Sequence, residues 1–254
     1  MTIIRIFFVF ILTIPFQLYA QIDVLDSYPV GQDFYVGGRK ALVKEMVAIV
    51  KKEGLLPCAN TEENYTVNIL VYADSSINYI KDFDTVNINK NKCAYDFSRQ
   101  VIPYLKKWLP AKENGKFIGA IAKVSIQPFI LYYSKEDPKD NKIIDPYYKR
   151  GLSDFAEDVE KIMQDFIKRN EDRRTYLTFV VNEEGVMQDF EIEGDYSDTE
   201  RKRMIDRFSR LKGKWEPGTF NGMPRKVYIK QLISQNFDVQ LEIERNNSQI
   251  RHFR

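Results

Sequence analysis

One short pattern occurs twice in this chain and limits its possible folds more than any other feature: Trp108-Leu109-Pro110 with Asn114-Gly115, then Trp215-Glu216-Pro217 with Asn221-Gly222. Both copies read W-x-P-x3-N-G. Trp, Pro and Asn are each displaced by 107 residues (215 − 108, 217 − 110, 221 − 114), and the Phe closing the alternating run after each copy, Phe129 and then Phe237, by 108. A motif repeated at a fixed displacement, each time after an amphipathic helical stretch and before an alternating run, indicates an internal duplication. The 254 residues, 44% of them hydrophobic, suffice for two small cores.

The second copy reads more cleanly. Phe155, Val159, Ile162, Met163, Phe166 and Ile167 mark an amphipathic first helix. Residues 175–181 are rich in β-branched and aromatic side chains, Asn182 to Gly185 supplies turn chemistry, and Val186, Phe190 and Ile192 continue as a returning strand. Ser197 and Glu200 match a capping box ahead of Met204, Ile205, Phe208 and Leu211, so a helix is expected to about Gly213. After the Asn221-Gly222 turn a long strand runs over 227–237. The order is helix, strand, strand, helix, strand.

The first copy follows the same order. A helix opens at Gly37-Gly38 and carries Ala41, Leu42, Met46, Ile49 and Val50 as far as Gly54; strands follow over 65–72 and 77–83. A second helix holds Ala94, Phe97, Val101, Ile102 and Leu105, with Pro103 expected to break or kink it before Trp108. The strand 117–129 closes the unit. Residues 134–146 carry Lys, Asp, Glu and two Pro with little apolar content, which reads as an exposed linker.

The N-terminus has Arg5 ahead of an apolar run over 6–14, then Pro15, Gln17 and Ala20, the pattern of a secretory signal peptide, with an uncleaved anchor as the alternative. Spanning a bilayer takes about 20 apolar residues, and Pro15 and Gln17 interrupt this run early. Export places the protein in the periplasm or outside the cell. It also makes Cys58 and Cys93 candidates for a disulfide, with a pair of free buried thiols as the other reading. The same residues argue against a metal site, because structural zinc wants four close Cys or His ligands and the single His stands at 252. Thirty-eight basic against thirty-six acidic residues leave a net charge of +2, and Arg201-Lys202-Arg203 is interleaved with Asp198, Glu200 and Asp206, so nucleic acid is not an expected partner.

Each unit resembles the C-terminal domain of TonB-type proteins, in the diverged form found in secreted proteins of Bacteroidetes-like bacteria. The residues that carry the likeness are Gly37-Gly38-Arg39-Lys40-Ala41-Leu42 at the first helix and the two signatures Trp108, Pro110, Asn114, Gly115 and Trp215, Pro217, Asn221, Gly222. The second unit has Gly151-Leu152 in place of the Gly-Gly opening. The resemblance implies an α+β fold of two tandem repeats, each a three-stranded antiparallel sheet packed against two helices, as in TonB and TolA C-terminal domains. The expected organisation is a signal peptide over 1–20, repeats over 30–132 and 150–238, a linker over 133–149 and a polar tail over 239–254. It also implies a protein-binding role without cofactor, in which an extended segment of an outer-membrane receptor adds to the last strand as a further strand. On the matching strands stand Ala122, Val124 and Ile126, and Tyr228, Lys230 and Leu232. Membrane contact would be indirect unless the N-terminal segment stays uncleaved. No long Pro-rich spacer follows that segment, so energy transduction by this chain alone is not expected.

Two other readings accompany this one. A structural envelope adaptor would keep its sheet edges buried, pairing last strand with last strand or covering one with residues 239–243. A carboxylate-dependent hydrolase would use acids such as Asp154, Glu157, Asp158 and Glu160. Positions 154, 157 and 158 share the N-terminal turn of a helix, where acids are favoured by the dipole, so a stabilising role is the simpler expectation and the chain is not read as an enzyme. The two Trp read first as core plugs and the Asn-Gly pairs as turns.

Overall fold

The computed structural model describes residues 24–166, 175–211 and 215–233, and the backbone of 239–244. The N-terminal stretch read above as a signal peptide, and Phe237, lie outside the described residues. Within them the fold is α+β, with several antiparallel sheets and six α-helices.

The chain enters as β1 (Val24–Leu25) and reaches α1 (Gly38–Lys52), whose stripe of Leu42, Val43, Met46, Val47, Ile49 and Val50 is buried and whose last turn carries Lys51 and Lys52 at the negative end of the dipole. Strands β2 (Tyr65–Val71) and β3 (Ile77–Tyr79) form a hairpin. β3 stops short of the expected residue 83. Asp82 accepts a hydrogen bond from the Tyr65 hydroxyl and another from the Asp84 amide, and Asp84 caps α2 (Thr85–Lys90) through the Asn87 amide, so this stretch is spent on turn and cap rather than on the ladder. Helix α3 (Lys92–Val101) buries Ala94, Phe97 and Val101 and tightens at Pro103 into a 3-10 turn, Ile102–Tyr104, as the position of that proline requires. β4 (Ala111–Glu113) and β5 (Lys116–Ile126) flank Asn114-Gly115, and β5 pairs antiparallel with β2 from Val71↔Ala120 to Tyr65↔Ile126. β5 ends before Phe129, contrary to expectation: Pro128 opens α4 (Pro128–Tyr133), and Phe129 belongs to that helix.

The segment expected to be an exposed linker is built into the fold. β6 (Ile143–Ile144) pairs with β11 (Gly218–Phe220), and β7 (Tyr147–Tyr148) pairs with β10 (Trp215–Glu216). Its few apolar residues are β-branched or aromatic and fall on those strands. Phe129 and Ile130 of α4 bury against Phe220, joining the two halves through a third small core.

In the second half α5 (Leu152–Met163) buries Phe155, Val159, Ile162 and Met163; β8 (Thr175–Val181) and β9 (Met187–Glu193) form a hairpin; and α6 (Asp198–Phe208) opens on the Ser197/Glu200 capping box and runs into a 3-10 turn ending at Leu211. β11 and β12 (Met223–Arg225) flank Asn221-Gly222, and β13 (Val227–Ile233) pairs with β8 along its length. The sheet order is β9-β8-β13-β14, where β14 (Val239–Glu244) comes from the stretch read as a polar tail. The other large sheet has the order β3-β2-β5-β1, with β4 also on β5. Each large sheet therefore holds more than the three strands expected. The helices of each half cover their sheet around a separate core.

Candidate functional site: the two strand edges

The expected contact residues divide by what their strands leave open. One side of β5 is taken by β2. On the other, β4 covers 116–118 and the short parallel β1 covers 119–120. Beyond that point the outer backbone edge of 121–126 has no strand partner among the described residues. Ala122, Val124 and Ile126 are buried with their side chains toward the helices, so an added strand would meet them through main chain alone. The outward positions are Ile121, Lys123 and Ser125; Lys123 is exposed, and Ser125 donates to Asn64 Oδ1 at 2.7 Å. Alongside, Phe34, Arg39, Leu42, Val43 and Met46 of the α1 region form a crease with residues 123–125.

β13 is not an edge. β14 runs antiparallel along it from Tyr228↔Glu244 to Ile233↔Val239, while β8 takes the other side. Averaged over 239–254 the tail is polar, but Val239, Leu241 and Ile243 alternate with Gln240, Glu242 and Glu244 at the strand period, and this local pattern decides. Among the described residues the outermost strand on this side of the sheet is therefore β14. Tyr228, Lys230 and Leu232 point outward, opposite to the buried Ile229, Gln231 and Ile233. Tyr228 reaches Glu62 of the first half at 3.4 Å, Thr61 donates to Glu183 at 2.8 Å, and Lys230 pairs with Glu193 at 2.9 Å. Burial raises the Glu62 carboxyl above its usual range against the pull of Lys226 and Tyr228, with Glu183 and Asp189 adding to the rise.

The signature residues are structural. Trp108 and Trp215 are buried, and each meets a tyrosine edge-on with ring centroids 5.4 Å apart, Tyr35 in the first half and Tyr148 in the second. Each Trp also pairs with that tyrosine as an antiparallel bridge residue. Neither tyrosine stood out in the sequence, although each lies a few residues before a glycine that opens the first helix of its half. Trp108 Nε1 donates to Leu105 O at 2.9 Å; by the 107-residue displacement the counterpart of Leu105 is Lys212, outside the described residues. Pro110 and Pro217 follow these Trp residues as the chain turns toward the hairpin. Both Asn-Gly pairs form hairpin turns with positive φ at each central residue, 48° and 82° in the first and 51° and 84° in the second. Asn221 does more than turn. Its side chain donates to Tyr133 O at 2.8 Å and accepts from the Lys142 amide at 2.8 Å, pinning the segment between the halves.

Cys58 and Cys93 form a disulfide with Cα atoms 5.8 Å apart, beside Glu63. Three of the four acids of α5 are ion-paired: Arg150 contacts Asp154 at 3.4 Å and Asp158 at 2.7 Å, and Glu157 pairs with Lys161; Asp158 also accepts from the buried Tyr148. These contacts fix the start of the helix; no opposed carboxylate across a cleft accompanies them among the described residues. An open cleft of about 830 Å³ lies between the β2–β3 and β4–β5 turns, lined by Tyr72, Asp74, Glu113, Lys116 and Phe117. No described helix is long and apolar enough to cross a membrane. No family model matches the chain, and neither a curated protein nor a solved structure matches it.

Proposed function

We propose that the chain is an exported protein-binding module of the cell envelope, related to TonB C-terminal domains by tandem duplication, that takes an extended partner segment by strand addition. The observation that carries this reading is the backbone of 121–126 on β5, unpaired on its outer side among the described residues, with a crease alongside that is apolar except for Arg39 and the strand's own Lys123 and Ser125. An open edge offers a row of main-chain donors and acceptors, and strand addition satisfies them without requiring catalytic groups, metal or cofactor. The pairing of Cys58 with Cys93 suits an oxidising compartment and so supports export. An outer-membrane receptor segment is the partner the family likeness suggests, with this chain assisting transport rather than transmitting energy.

The adaptor reading retains support in the second half, where β14 covers β13 and Tyr228 is engaged by Glu62. The two readings combine into one molecule: a first half that binds and a second half that braces.

The test is in-cell photo-crosslinking from a probe in place of Lys123 in the full chain, with trapped partners identified by mass spectrometry. Crosslinks to an extended segment of one envelope protein are expected. Crosslinks only within the chain itself would overturn the binding role of β5.

A further inference from the structure

The open stretch of β5 has a counterpart elsewhere in the molecule whose occupant is present. β5 pairs with β2 through Val71↔Ala120, Ile69↔Ala122 and Val67↔Val124; β13 pairs with β8 through Val181↔Val227, Phe179↔Ile229 and Leu177↔Gln231. The displacement is 110 residues on the inner strand (181 − 71) and 107 on the outer (227 − 120), constant along both ladders. The alternation matches as well: 120, 122, 124 and 126 are buried, as are 227, 229, 231 and 233. Lys123 therefore occupies the place of Lys230, outward in both strands.

What sits on β13 shows what such an edge accepts. β14 runs antiparallel and places Leu241 opposite Gln231, Glu242 opposite Lys230 and Ile243 opposite Ile229. Transferred to β5, the same segment type sets an acid opposite Lys123 and apolar residues opposite Val124 and Ala122. Those two positions face inward, beside the crease formed by Phe34, Leu42, Val43 and Met46. The cations differ in one respect. Lys230 is paired with Glu193, whereas Lys123 has no ion pair among the described residues, so the first half presents an unmatched charge beside an unmatched backbone.

We propose that the β5 edge selects an antiparallel extended segment of apolar-acidic-apolar pattern, with its carboxylate opposite Lys123. This rests on the strand-addition reading above and assigns its ligand class. Opposite charges placed directly across a strand pair attract, and like charges repel, so reversing one partner is expected to change affinity about three- to tenfold.

The probe is a synthetic peptide of residues 238–245 of this chain, compared with the same peptide carrying Glu242→Lys. Each is titrated into the full protein and into its Lys123→Glu variant; Lys123 is exposed, and a thermal melt verifies that the variant folds. Affinity is read by fluorescence anisotropy and location by hydrogen exchange. The expected result is slowed exchange at 121–126, tighter binding of the Glu242 peptide to the native chain, and the reverse preference on Lys123→Glu. Equal binding of both peptides to both chains, with 121–126 still protected, overturns the charge rule and leaves strand addition standing. Protection confined to 227–233 would mean the peptide had replaced β14 and overturns the assignment to β5. Slowed exchange at neither edge removes strand addition at β5 together with the ligand class.

Discussion

Gly185 sits in the β8–β9 turn against the backbone of Trp215. A Cβ there would lie 2.2 Å from the Trp215 carbonyl oxygen, and the residue holds a φ of +75°. Gly185→Ala is therefore expected to cost about 2–4 kcal/mol in urea unfolding, through both clash and backbone strain. The matching turn of the first half makes the same two backbone bonds, Ser75 N to Tyr72 O and Tyr72 N to Ser76 O, with Ser75 at φ +69°. Ser75→Gly should leave stability unchanged or raise it by up to about 1 kcal/mol. Glu62 supplies a pH dependence. Its carboxyl is raised by burial, so the folded chain holds that proton more tightly than the unfolded one. Its contribution is fully present below the ordinary value of 4.5 and is lost as pH rises through the raised one. Glu62→Gln removes this loss. The melting temperature of the variant relative to the native chain should accordingly climb as pH rises above the ordinary value of 4.5 and through the raised one, and a flat difference would show that Glu62 is as solvated as in the unfolded chain.

The elements show where sequence reading succeeds and where it fails. Both Asn-Gly hairpins, the capping box at Ser197 and the break at Pro103 were legible because each is decided within a few residues by backbone chemistry. β14 and the pair β6/β7 were not, because a window wide enough to judge a tail or a linker averages Val239, Leu241 and Ile243, or Ile143 and Tyr148, with the charges around them. The six expected contact residues do stand on β5 and β13, but neighbours decide whether an edge is open. Residue parity decides which side chains face out, so Ala122, Val124 and Ile126 turned inward while Lys123 was overlooked. Because β14 covers β13, deleting residues 239–254 bares a six-residue edge, 228–233, and the truncated protein should self-associate in light scattering where the full chain does not. A monomeric truncation would mean that the edge is closed by something else.

Across the whole molecule the two halves meet through the Phe129, Ile130 and Phe220 cluster, the Asn221 clamp and the loop around Thr61 and Glu62. The disulfide closes a span of 35 residues, which by loop-closure entropy corresponds to about 3–4 kcal/mol. Cys58→Ser is expected to lose an amount of that order in denaturant unfolding monitored at the first-half Trp108. The 107-residue displacement was legible from one motif, and the outer strands of the two ladders keep it. The contacts between the halves were not legible, since they depend on residues outside the repeated signature, such as Thr61 and Phe129, and on side-chain bonds of Asn221 that its role in the turn does not require.

The loop that carries Thr61 and Glu62 begins at one cysteine of the bridge and touches the second half at Glu183 and Tyr228. Opening the bridge is therefore expected to loosen this loop and, with it, its contacts to the second half. A reductant that never touches β13 should still broaden or shift the resonances of Tyr228 and Glu183, so the environment's thiol balance would set how stiffly one half is carried by the other.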